Sequence, residues 1–365
     1  MTPRTADGDT ADTPDGTGPD WRLLLGLILV GVPGLFLALG NLGPRADVHW
    51  DLSVPWAESE FHTRNAIRFA EEVAVVTDGR VRITVHPGAV LGIKGPGSLR
   101  AVEDGIVAMA EMAGFQQIGS EPVLGLEALP FLVDTHDELR TLYRFLRAPV
   151  EAAFERHGMK VLYLVPWPNQ NLYTRGQPDS LRSLAGLKVR TLDANTTDMM
   201  DRLGLTPIQM PSPDVVPALA AGAIDATLTS TTTGAAQKYW EFLDVIIRTN
   251  HNWASNMMVV NADAWAGLSD RDRQAIEALA ARLEPDFWRV SERDDREKLA
   301  VLKAEGMQVM VPDAVMAGQL RAVARPMWHE FVARVPEARP VLDAYLRATG
   351  RAPLDDAGPS DGNGS

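Results

Sequence analysis

The fold is decided by Leu184-Ala-Gly-Leu-Lys-Val-Arg-Thr191 and by Met210-Pro-Ser-Pro-Asp-Val-Val-Pro-Ala-Leu-Ala-Ala-Gly-Ala-Ile-Asp225, which follows it. In the first part, Gly186 predicts a turn into a short strand, in which Val189 faces one side of a sheet and Arg190 the other. In the second part, Ser212 is predicted to cap a helix that Gly222 ends, and a strand over 223–227 follows at once. The order of strand, helix and strand predicts an α/β fold.

Arg190 is the candidate functional residue of this stretch, because the end of a strand would hold its side chain rigid. Its guanidinium group is planar and always charged, and it can donate two parallel hydrogen bonds to one carboxylate. The sequence therefore predicts a carboxylate-binding role for Arg190. A salt bridge on the surface is the alternative.

The succession of helix, glycine and strand occurs a second time in the chain. Ala101-Val-Glu-Asp-Gly-Ile-Val-Ala-Met109 has the same order as Ala218-Leu-Ala-Ala-Gly-Ala-Ile-Asp-Ala-Thr227. A helix over 98–105 with Ser98 as its cap would precede the first strand. Two such units far apart in the chain predict two α/β lobes built alike, and chance recurrence of a common helix-to-strand junction is the alternative.

The rest of the chain carries a long helical pattern and a polar end. The helical pattern runs from Ser269 to about Glu305, and Pro285 is predicted to kink or interrupt it. Residues 351–365 are rich in Gly, Pro, Asp and Ser, and we expect them to form a disordered tail.

The N-terminal part of the chain indicates export. Residues 1–22 are polar and predicted to be disordered, whereas residues 23–42 carry no charge. About 20 apolar residues suffice to span a bilayer, so residues 23–42 are predicted to form one hydrophobic helix. It acts as a signal peptide or as a retained membrane anchor, and the weak cleavage site favours the anchor. A buried core helix is the third interpretation.

Composition excludes several classes of function. The chain has 35 Lys and Arg against 48 Asp and Glu, and a formal net charge of −13 disfavours nucleic acid and anionic membrane surfaces as partners. It does not disfavour a small anionic ligand, since one arginine in a cleft outweighs distant, screened charges. The absence of cysteine excludes disulfides, thiolate metal sites and lipid attachment through cysteine.

Short motifs in a fixed order surround the central stretch. They are His86-Pro-Gly-Ala-Val-Leu-Gly92, Val102-Glu-Asp-Gly-Ile106, Leu129-Pro-Phe131, Lys238-Tyr-Trp-Glu-Phe-Leu243 and Thr249-Asn-His251. Together with the Gly-Leu-Lys-Val-Arg strand and the Ala-Leu-x-x-Gly-x-Ile-Asp segment, they resemble the extracytoplasmic solute-binding proteins of TRAP transporters, the dicarboxylate-binding (DctP-like) family. The resemblance covers roughly residues 48 to 335.

This resemblance implies a two-lobe, periplasmic-binding-protein-like α/β fold, with a ligand cleft between the lobes and a long helix spanning both. The first lobe is expected over 48–167 plus 255–294, and the second over 168–254 plus 295–350. The implied function is to capture a small organic carboxylate in the periplasm and to deliver it to the membrane subunits of a TRAP transporter. A membrane-tethered ligand-sensing subunit without transport is the alternative.

The resemblance also implies a binding site. Arg190 matches the arginine that clamps the ligand carboxylate in this family, but Gln170 stands where a second arginine is common. The nearby Arg175 is considered as a substitute for it. A single fixed charge favours a monocarboxylate or hydroxy acid over a dicarboxylate.

Further candidates complete the predicted ligand site. Trp56 and Trp167 follow predicted strands, where cleft residues of α/β sheets collect. Thr229 opens a run of hydroxyl side chains that is predicted to hydrogen-bond the ligand. The other candidates match the family's contact loop or a crossover between the lobes: Met112, Ala113, Gln116, Asn252, Trp253 and Asn256.

Neither metal binding nor catalysis has support in the sequence. The seven histidines include no pair at the spacing of helical metal ligands, and no nucleophile, zinc-protease or phosphate-loop motif is present. Asp193 and Asp225 are the carboxylates that an acid/base mechanism would use, but Asp225 matches a structural aspartate of the family. We therefore predict a binding protein without cofactor or metal, and not an enzyme.

Overall fold

Two β-sheets organise residues 47–355, the part of the chain that the computed structural model describes. The first sheet has five strands: β1 at Val48–Ser53, β2 at Val81–His86, β3 at Met109–Ala113, β4 at Met159–Pro166 and β10 at Ser255–Asn261. Their order is β2-β1-β3-β10-β4. Strand β1 is parallel to β2 and β3, whereas β10 runs antiparallel to β3 and β4.

The second sheet has six strands in the order β11-β9-β5-β8-β6-β7. Their bounds are Asn171–Thr174 for β5, Lys188–Thr191 for β6, Thr206–Gln209 for β7, Ala226–Thr229 for β8, Val245–Ile247 for β9 and Gln308–Met310 for β11. Strand β6 is parallel to β7 and β8, and β5 is antiparallel to β8 and β9. Each sheet therefore mixes parallel strands with an antiparallel partner, and the predicted α/β fold with two lobes is confirmed.

Helices cover both sheets. They are α1 at Phe61–Val76, α2 at Ser98–Glu103, α3 at His136–Arg156, α4 at Ala194–Arg202, α5 at Val215–Ala220, α6 at Thr231–Ala236, α7 at Ala262–Ala266, α8 at Asp270–Ala304, α9 at Ala314–Ala322, α10 at Ala324–Arg334 and α11 at Arg339–Ala348. Helix α1 buries Phe69 and Val73 against the first sheet, and the apolar face of a helix is what holds it on a sheet.

The chain passes between the sheets in two paired segments and a third time through the connection from β10 to β11, which contains α8. Residues 167–170 lead from β4 to β5, and residues 248–254 lead from β9 to β10. The backbone N–H of Trp167 donates to the carbonyl of Ala254 at 2.7 Å, and that of Gln170 donates to the carbonyl of Asn252 at 3.1 Å. The two crossings are therefore hydrogen-bonded side by side.

Helix α8 is the long helix that the sequence predicts. Its 35 residues begin after Ser269, whose side chain accepts a hydrogen bond from the N–H of Asp272. The helix packs against α1 and β4 on the side of the first sheet and against α6 on the side of the second. Near its end, Leu302 is buried in the apolar cluster of the second sheet.

Pro285 lies inside α8 and does not interrupt it, so the predicted interruption is wrong. A proline removes one backbone hydrogen bond, but tertiary packing compensates for this loss. Phe287 and Trp288 are buried on the next turn, and the indole N–H of Trp288 donates to the carbonyl of Leu164 at 2.9 Å.

Two predicted helix caps are wrong. Ser212 begins a short 3₁₀ turn at Ser212–Asp214 ahead of α5, and its hydroxyl oxygen accepts from the amide of Gln237 at 2.8 Å. Ser98 is the first residue of α2 rather than its cap. The backbone of Gly222 has a φ of +66°, as expected for a helix end, but the strand that follows is 226–229 instead of 223–227.

The C-terminal helices pack on the first sheet's side of the molecule, although the sequence division assigned 295–350 to the second lobe. Helix α11 packs against α3, and the hydroxyl of Tyr345 donates to the carbonyl of Leu132 at 3.1 Å. The indole N–H of Trp328 donates to the carbonyl of Pro130 at 2.9 Å. The apolar side chains of α10 and α11 are buried against this surface. The helical pattern in the sequence shows that these helices have an apolar face, but not which surface that face covers.

Residues 351–355 are ordered by contacts, contrary to the predicted disordered tail. Arg351 donates to the carbonyl of Leu132 at 2.7 Å, and Leu354 is buried. The predicted disordered segment 1–22, the predicted hydrophobic helix 23–42 and the tail beyond residue 355 lie outside the described residues. Within residues 47–355, no helix is long and apolar enough to cross a membrane.

Candidate functional site

A cleft lies between the two sheets, at the carboxyl ends of several strands. The space between the atoms there amounts to about 330 Å³, a figure that includes open solvent at the cleft. The cleft is lined by Trp56, Phe115, Gln116, Trp167, Gln170, Arg190, Leu192, Ser212, Thr229, Ser230 and Thr233. The carboxyl ends of strands are where α/β sheets bind ligands, because side chains from several loops converge there.

The cleft brings together five of the seven residues that the sequence proposes for the ligand site, namely Arg190, Gln170, Thr229, Trp167 and Trp56. Met112 and Ala113 are not among the lining residues. Both are fully buried in β3, where Met112 pairs with Met257 of β10. The loop after β3 reaches the cleft instead, through Phe115 and Gln116.

Two backbone carbonyls hold the Arg190 side chain in place. Its Nε donates to the carbonyl of Met210 at 3.0 Å, and its Nη1 donates to the carbonyl of Leu228 at 2.9 Å. These contacts fix the plane of the guanidinium group against β8 and the segment before the Ser212 turn. The remaining donors are thereby oriented in advance, so this side chain loses less entropy when a ligand binds.

Arg190 is buried, with 3% of its surface exposed, and within the described residues no carboxylate is paired with it. Within residues 47–355, no carboxylate oxygen lies within 4.0 Å of its guanidinium nitrogens, although the same residues contain many such ion pairs. Burial lowers the pKa of Arg190 from its ordinary value, but an arginine remains protonated. An unpaired cation in a cleft is costly, and a ligand carboxylate would remove that cost.

Gln170 contributes no charge to the cleft. Its side-chain amide donates to the carbonyl of Pro168 at 2.9 Å, which holds the side chain close to the backbone. Arg175, the possible substitute for a second arginine, is exposed and donates to the carbonyl of Leu219 at 3.0 Å. Arg175 does not line the cleft, so Arg190 is the one arginine among the lining residues.

Two tryptophan rings form an aromatic part of the cleft lining. The rings of Trp56 and Trp167 meet edge to face with centroids 5.0 Å apart. The indole N–H of Trp167 donates to the side chain of Asn256 at 2.7 Å, which orients the ring. The indole N–H of Trp56 is buried and has no partner among the described residues. Such a donor is available to a polar group of a ligand.

The hydroxyl run after β8 divides into two groups. Thr229 and Ser230 line the cleft, and Ser230 also caps α6 by accepting from the N–H of Thr233. The next three hydroxyls, of Thr231, Thr232 and Thr233, donate to carboxylates of other elements. The prediction that the run hydrogen-bonds a ligand is therefore limited to the first two side chains.

Asp193 and Asp225 have structural roles in the backbone around Arg190. Asp193 caps α4 by accepting from the N–H of Thr196 at 2.8 Å, and burial raises its pKa to about 6. Asp225 accepts from the N–H of Lys188 at 3.1 Å. Both carboxylates therefore hold backbone groups, and neither lines the cleft.

Two lining residues, Phe115 and Leu192, were not identified from the sequence. Phe115 follows β3 and Leu192 follows β6, each within two residues of a strand end. The rule that cleft residues follow strands could have found Phe115 and Leu192. The crossover candidates Asn252 and Trp253 do not line the cleft, and Trp253 donates to the carbonyl of Val133 at 2.9 Å.

Contacts across the mouth of the cleft join the two lobes. Lys94, in the loop before α2, forms a salt bridge with Asp214 of the Ser212 turn at 2.7 Å. On another side, the amide of Asn195 donates to the carbonyl of Gly125 at 2.8 Å. The lobes therefore touch on both sides of the cleft, as in a closed binding protein. In the described part of the chain, no cluster of three or more His, Cys, Asp or Glu side chains forms a candidate metal site.

Comparisons with known proteins agree on one family. The family model described as bacterial extracellular solute-binding protein, family 7, matches residues 52–334. The 2,3-diketo-L-gulonate-binding periplasmic protein YiaO of Escherichia coli is 26% identical over 76% of this chain and 85% of its own length. The C4-dicarboxylate-binding periplasmic protein DctP of Rhodobacter capsulatus is 24% identical over 86% of this chain and 92% of its own.

Solved structures show the same fold. DctP7 of Bordetella pertussis, an extracytoplasmic solute receptor that binds pyroglutamic acid, superimposes with a TM-score of 0.79 and 27% identity, over 81% of this chain and 99% of its own. A TRAP solute-binding protein from a marine metagenome, specific for pyroglutamate, has a TM-score of 0.79 and 28% identity, over 83% of this chain and 100% of its own.

Proposed function

This chain belongs to family 7 of the bacterial extracellular solute-binding proteins, and we propose that Arg190 binds the carboxylate of a small organic acid that the protein carries to a TRAP-type transporter. The protein is an extracytoplasmic solute receptor that binds a small organic acid, and it is not an enzyme. Its partners in transport would be the membrane subunits of the transporter.

The observation that carries this proposal is the unpaired charge of Arg190. The guanidinium group is buried, is held by two carbonyls and has no carboxylate within 4.0 Å in the described part of the chain. A carboxylate placed against its free donors would form charge-assisted hydrogen bonds in a site that excludes water. No other group among the lining residues is positively charged.

The composition of the cleft favours a ligand with one anionic group. Gln170 offers an amide where a second arginine would offer a charge, and the two tryptophan rings suit a flat or compact body. Two relatives that bind pyroglutamate, a cyclic monocarboxylate, share 27% and 28% of their residues with this chain. Pyroglutamate is therefore the first ligand to test.

Binding would proceed by closure of the lobes. Arg190 and Thr229 lie at the ends of β6 and β8, whereas Trp56 and Phe115 follow strands of the other sheet. A ligand bound first to Arg190 would be covered when the second wall approaches, and the exclusion of water would strengthen the contacts already made. The salt bridge between Lys94 and Asp214 would stabilise the closed form.

The test is ligand binding by the parent protein, by Arg190→Gln and by Arg175→Gln as a matched control. Pyroglutamate, lactate, succinate and malate are screened by thermal shift, since a ligand at 100 times its Kd adds about 2.7 kcal/mol of stability. Removing one partner of a buried charge pair costs about 2–5 kcal/mol, so Arg190→Gln should weaken binding at least about thirtyfold. Arg175→Gln should bind as the parent does, because Arg175 is outside the cleft.

Two results would contradict the proposal. One is that no carboxylate raises the unfolding midpoint of the parent protein. The other is that Arg190→Gln binds pyroglutamate as tightly as Arg175→Gln does. A shift with succinate that exceeds the shift with pyroglutamate would keep the role of Arg190 and replace the monocarboxylate by a dicarboxylate.

We infer the cellular location of the protein from its N-terminal segment and its role in transport from its family. We propose that residues 23–42 direct export and hold the protein at the outer face of the cytoplasmic membrane, or are removed to leave it free in the periplasm. Fractionation of cells that make the full chain separates these forms. Uptake of labelled ligand that requires both this protein and a TRAP permease supports transport, whereas binding without uptake would favour the alternative, a membrane-tethered sensing subunit.

A further inference from the structure

Three consecutive threonines of α6 each donate a hydrogen bond to a different carboxylate. Thr231 donates to Asp295 at 2.7 Å and Thr232 donates to Asp294 at 2.5 Å, both on α8. Thr233 donates to Oε1 of Glu60 at 2.8 Å. Helix α6 follows β8 of the second sheet, whereas Glu60 stands directly before α1 of the first sheet. The bond between Thr233 and Glu60 therefore joins the two lobes beside the cleft.

Glu60 differs from the two aspartates in having no cation beside it. Asp295 is paired with Arg248 at 3.3 Å, and Asp294 lies 3.5 Å from Arg64. Within the described residues, Glu60 takes part in no salt bridge, and its other oxygen accepts from the N–H of Ala57 at 3.1 Å. Only 2% of Glu60 is exposed. An ionised carboxylate held by neutral donors alone is unfavourable in such a place.

The groups around Glu60 add to this effect. Helix α8 presents Asp294, and strand β3 presents Glu111, whose carboxylate contacts the His62 ring of α1 at 2.9 Å. On the side of the second sheet, the 3₁₀ turn Tyr239–Glu241 presents the buried hydroxyl of Tyr239. Burial, with smaller contributions from Asp294 and Glu111, raises the pKa of Glu60 to about 7, against hydrogen bonds from Thr233 and Ala57 that lower it.

We propose that Glu60 takes up one proton from solvent when the lobes close over a ligand, so that a neutral carboxyl meets Thr233 in the closed cleft. This inference rests on the proposed function. Thr233 and Glu60 belong to different lobes, so opening separates them and admits water to the carboxylate. The threonine hydroxyl can donate to the neutral carboxyl or accept from it, and closure therefore leaves no polar atom of the pair without a partner.

Closure depends on pH because the pKa of Glu60 differs between the open and closed forms. Opening would expose the carboxyl to water and return its pKa towards the ordinary value of 4.5, whereas in the closed form its pKa is about 7. Closure is therefore favoured most below pH 4.5, and the advantage is lost as the pH rises through 7. Ligand affinity should fall by at least about tenfold between pH 5.5 and pH 8, and it should be flat at higher pH.

The first experiment needs no ligand. The chain has no cysteine, so spin labels attached to V90C and A220C, one on each lobe, report the distance between the lobes without side reactions. In the parent protein, the short-distance population should grow between pH 8 and pH 5.5. In E60Q, which holds a neutral side chain of the same shape, this population should be high and independent of pH.

The second experiment measures protons directly. Pyroglutamate is titrated calorimetrically at pH 6.3 in buffers of different ionisation enthalpy, because its own carboxyl is fully ionised there. The parent protein should take up a sizeable fraction of a proton on binding, and E60Q should take up none while still binding. If the parent does not bind pyroglutamate, the proposed ligand fails, and the spin-label result alone decides the role of Glu60.

Matched threonine variants separate this pair from its neighbours. Thr233→Val removes the donor to Glu60, so closure should weaken most at high pH and the pH response should steepen. Thr231→Val removes an equivalent bond, but to Asp295, which keeps its pairing with Arg248; its pH response should equal that of the parent. A pH response that persists in E60Q and disappears in D294N would overturn the assignment to Glu60, as would an equal response in E60Q and the parent.

Discussion

Burial of His251 makes the stability of the folded protein depend on pH. It is fully buried, and burial lowers its pKa to about 3. Its Nδ1 lies 2.8 Å from the hydroxyl of Thr249, and its backbone carbonyl accepts from the N–H of Phe131 at 2.7 Å. The second ring nitrogen has no partner among the described residues. The imidazole is therefore neutral in the folded protein, and the backbone carbonyl of His251 joins the crossover at 248–254 to the loop around Phe131.

The residue His251 should make the protein sensitive to mild acid. Its pKa is about 3 when folded and about 6.5 when unfolded, so its contribution to stability is complete above pH 6.5 and declines as the pH falls towards 3. Between pH 7 and pH 5 the free energy of unfolding should fall by about 2 kcal/mol on account of this residue. Urea unfolding of the parent and of His251→Gln at both pH values measures the difference. An equal fall in both proteins would contradict the prediction.

At the scale of residues, the sequence was sufficient where the backbone decides the position of a side chain. Arg190 and Trp167 follow from strand ends, because a strand end fixes where its side chain points. Met112 lies inside β3 rather than at its end, and a position three residues later lines the cleft. Glu60 could not be found, because its role depends on Thr233, which is distant in sequence and lies on the other lobe.

At the scale of elements, helix starts show why a capping residue alone does not define a helix. Ser269 and Ser212 are both serines ahead of helical patterns, yet only Ser269 accepts a hydrogen bond from its helix. Two aspartates in the first turn of α8 support that start, and Asp272 also forms a salt bridge with Arg80 at 2.7 Å. The hydroxyl oxygen of Ser212 instead accepts a hydrogen bond from the side-chain amide of Gln237, a tertiary contact that no local pattern predicts.

The cap of α8 gives a prediction at this scale. Ser269→Ala removes the acceptor for the N–H of Asp272 and the hydroxyl that donates to its carboxylate at 2.7 Å. The free energy of unfolding should fall by about 1 kcal/mol, within the usual range for a lost cap. Ser98→Ala serves as the control, because that serine caps no helix. Thermal unfolding measures both, and pyroglutamate affinity should be unchanged in both, since neither serine lines the cleft.

At the scale of the whole molecule, two lobes are held by paired crossings and by α8, and their closure is stabilised at the rim. The predicted two-lobe fold and the long helix follow from hydrophobic periodicity and from the repeated helix-to-strand junction. The packing of α10 and α11 on the first sheet's side could not be predicted, because an amphipathic face does not specify which surface it covers. The sequence therefore predicted the layers of the molecule better than the contacts between them.

The salt bridge between Lys94 and Asp214 should contribute to affinity through closure. Both side chains are about half exposed, so the pair is worth at most about 1 kcal/mol, or roughly two- to fivefold in Kd. Lys94→Glu should raise the Kd for pyroglutamate, and the double exchange Lys94→Glu with Asp214→Lys should restore it. The effect should shrink at high salt, because screening weakens exposed pairs. Calorimetry at two salt concentrations measures it, and no rescue by the double exchange would refute it.

The side-by-side crossings at 167–170 and 248–254 have a mechanical consequence. Because Trp167 and Gln170 are hydrogen-bonded to the opposite crossing, the two segments form a ribbon that bends easily but resists sliding along its length. We expect the lobes to turn about this ribbon, with α8, which packs against both lobes, following the motion. Release of a bound acid then requires both the opening of the contacts between the lobes and the loss of the bonds to Arg190. Two acids that bind Arg190 equally well should therefore leave at similar rates, whereas a change in the crossings should alter the release of both.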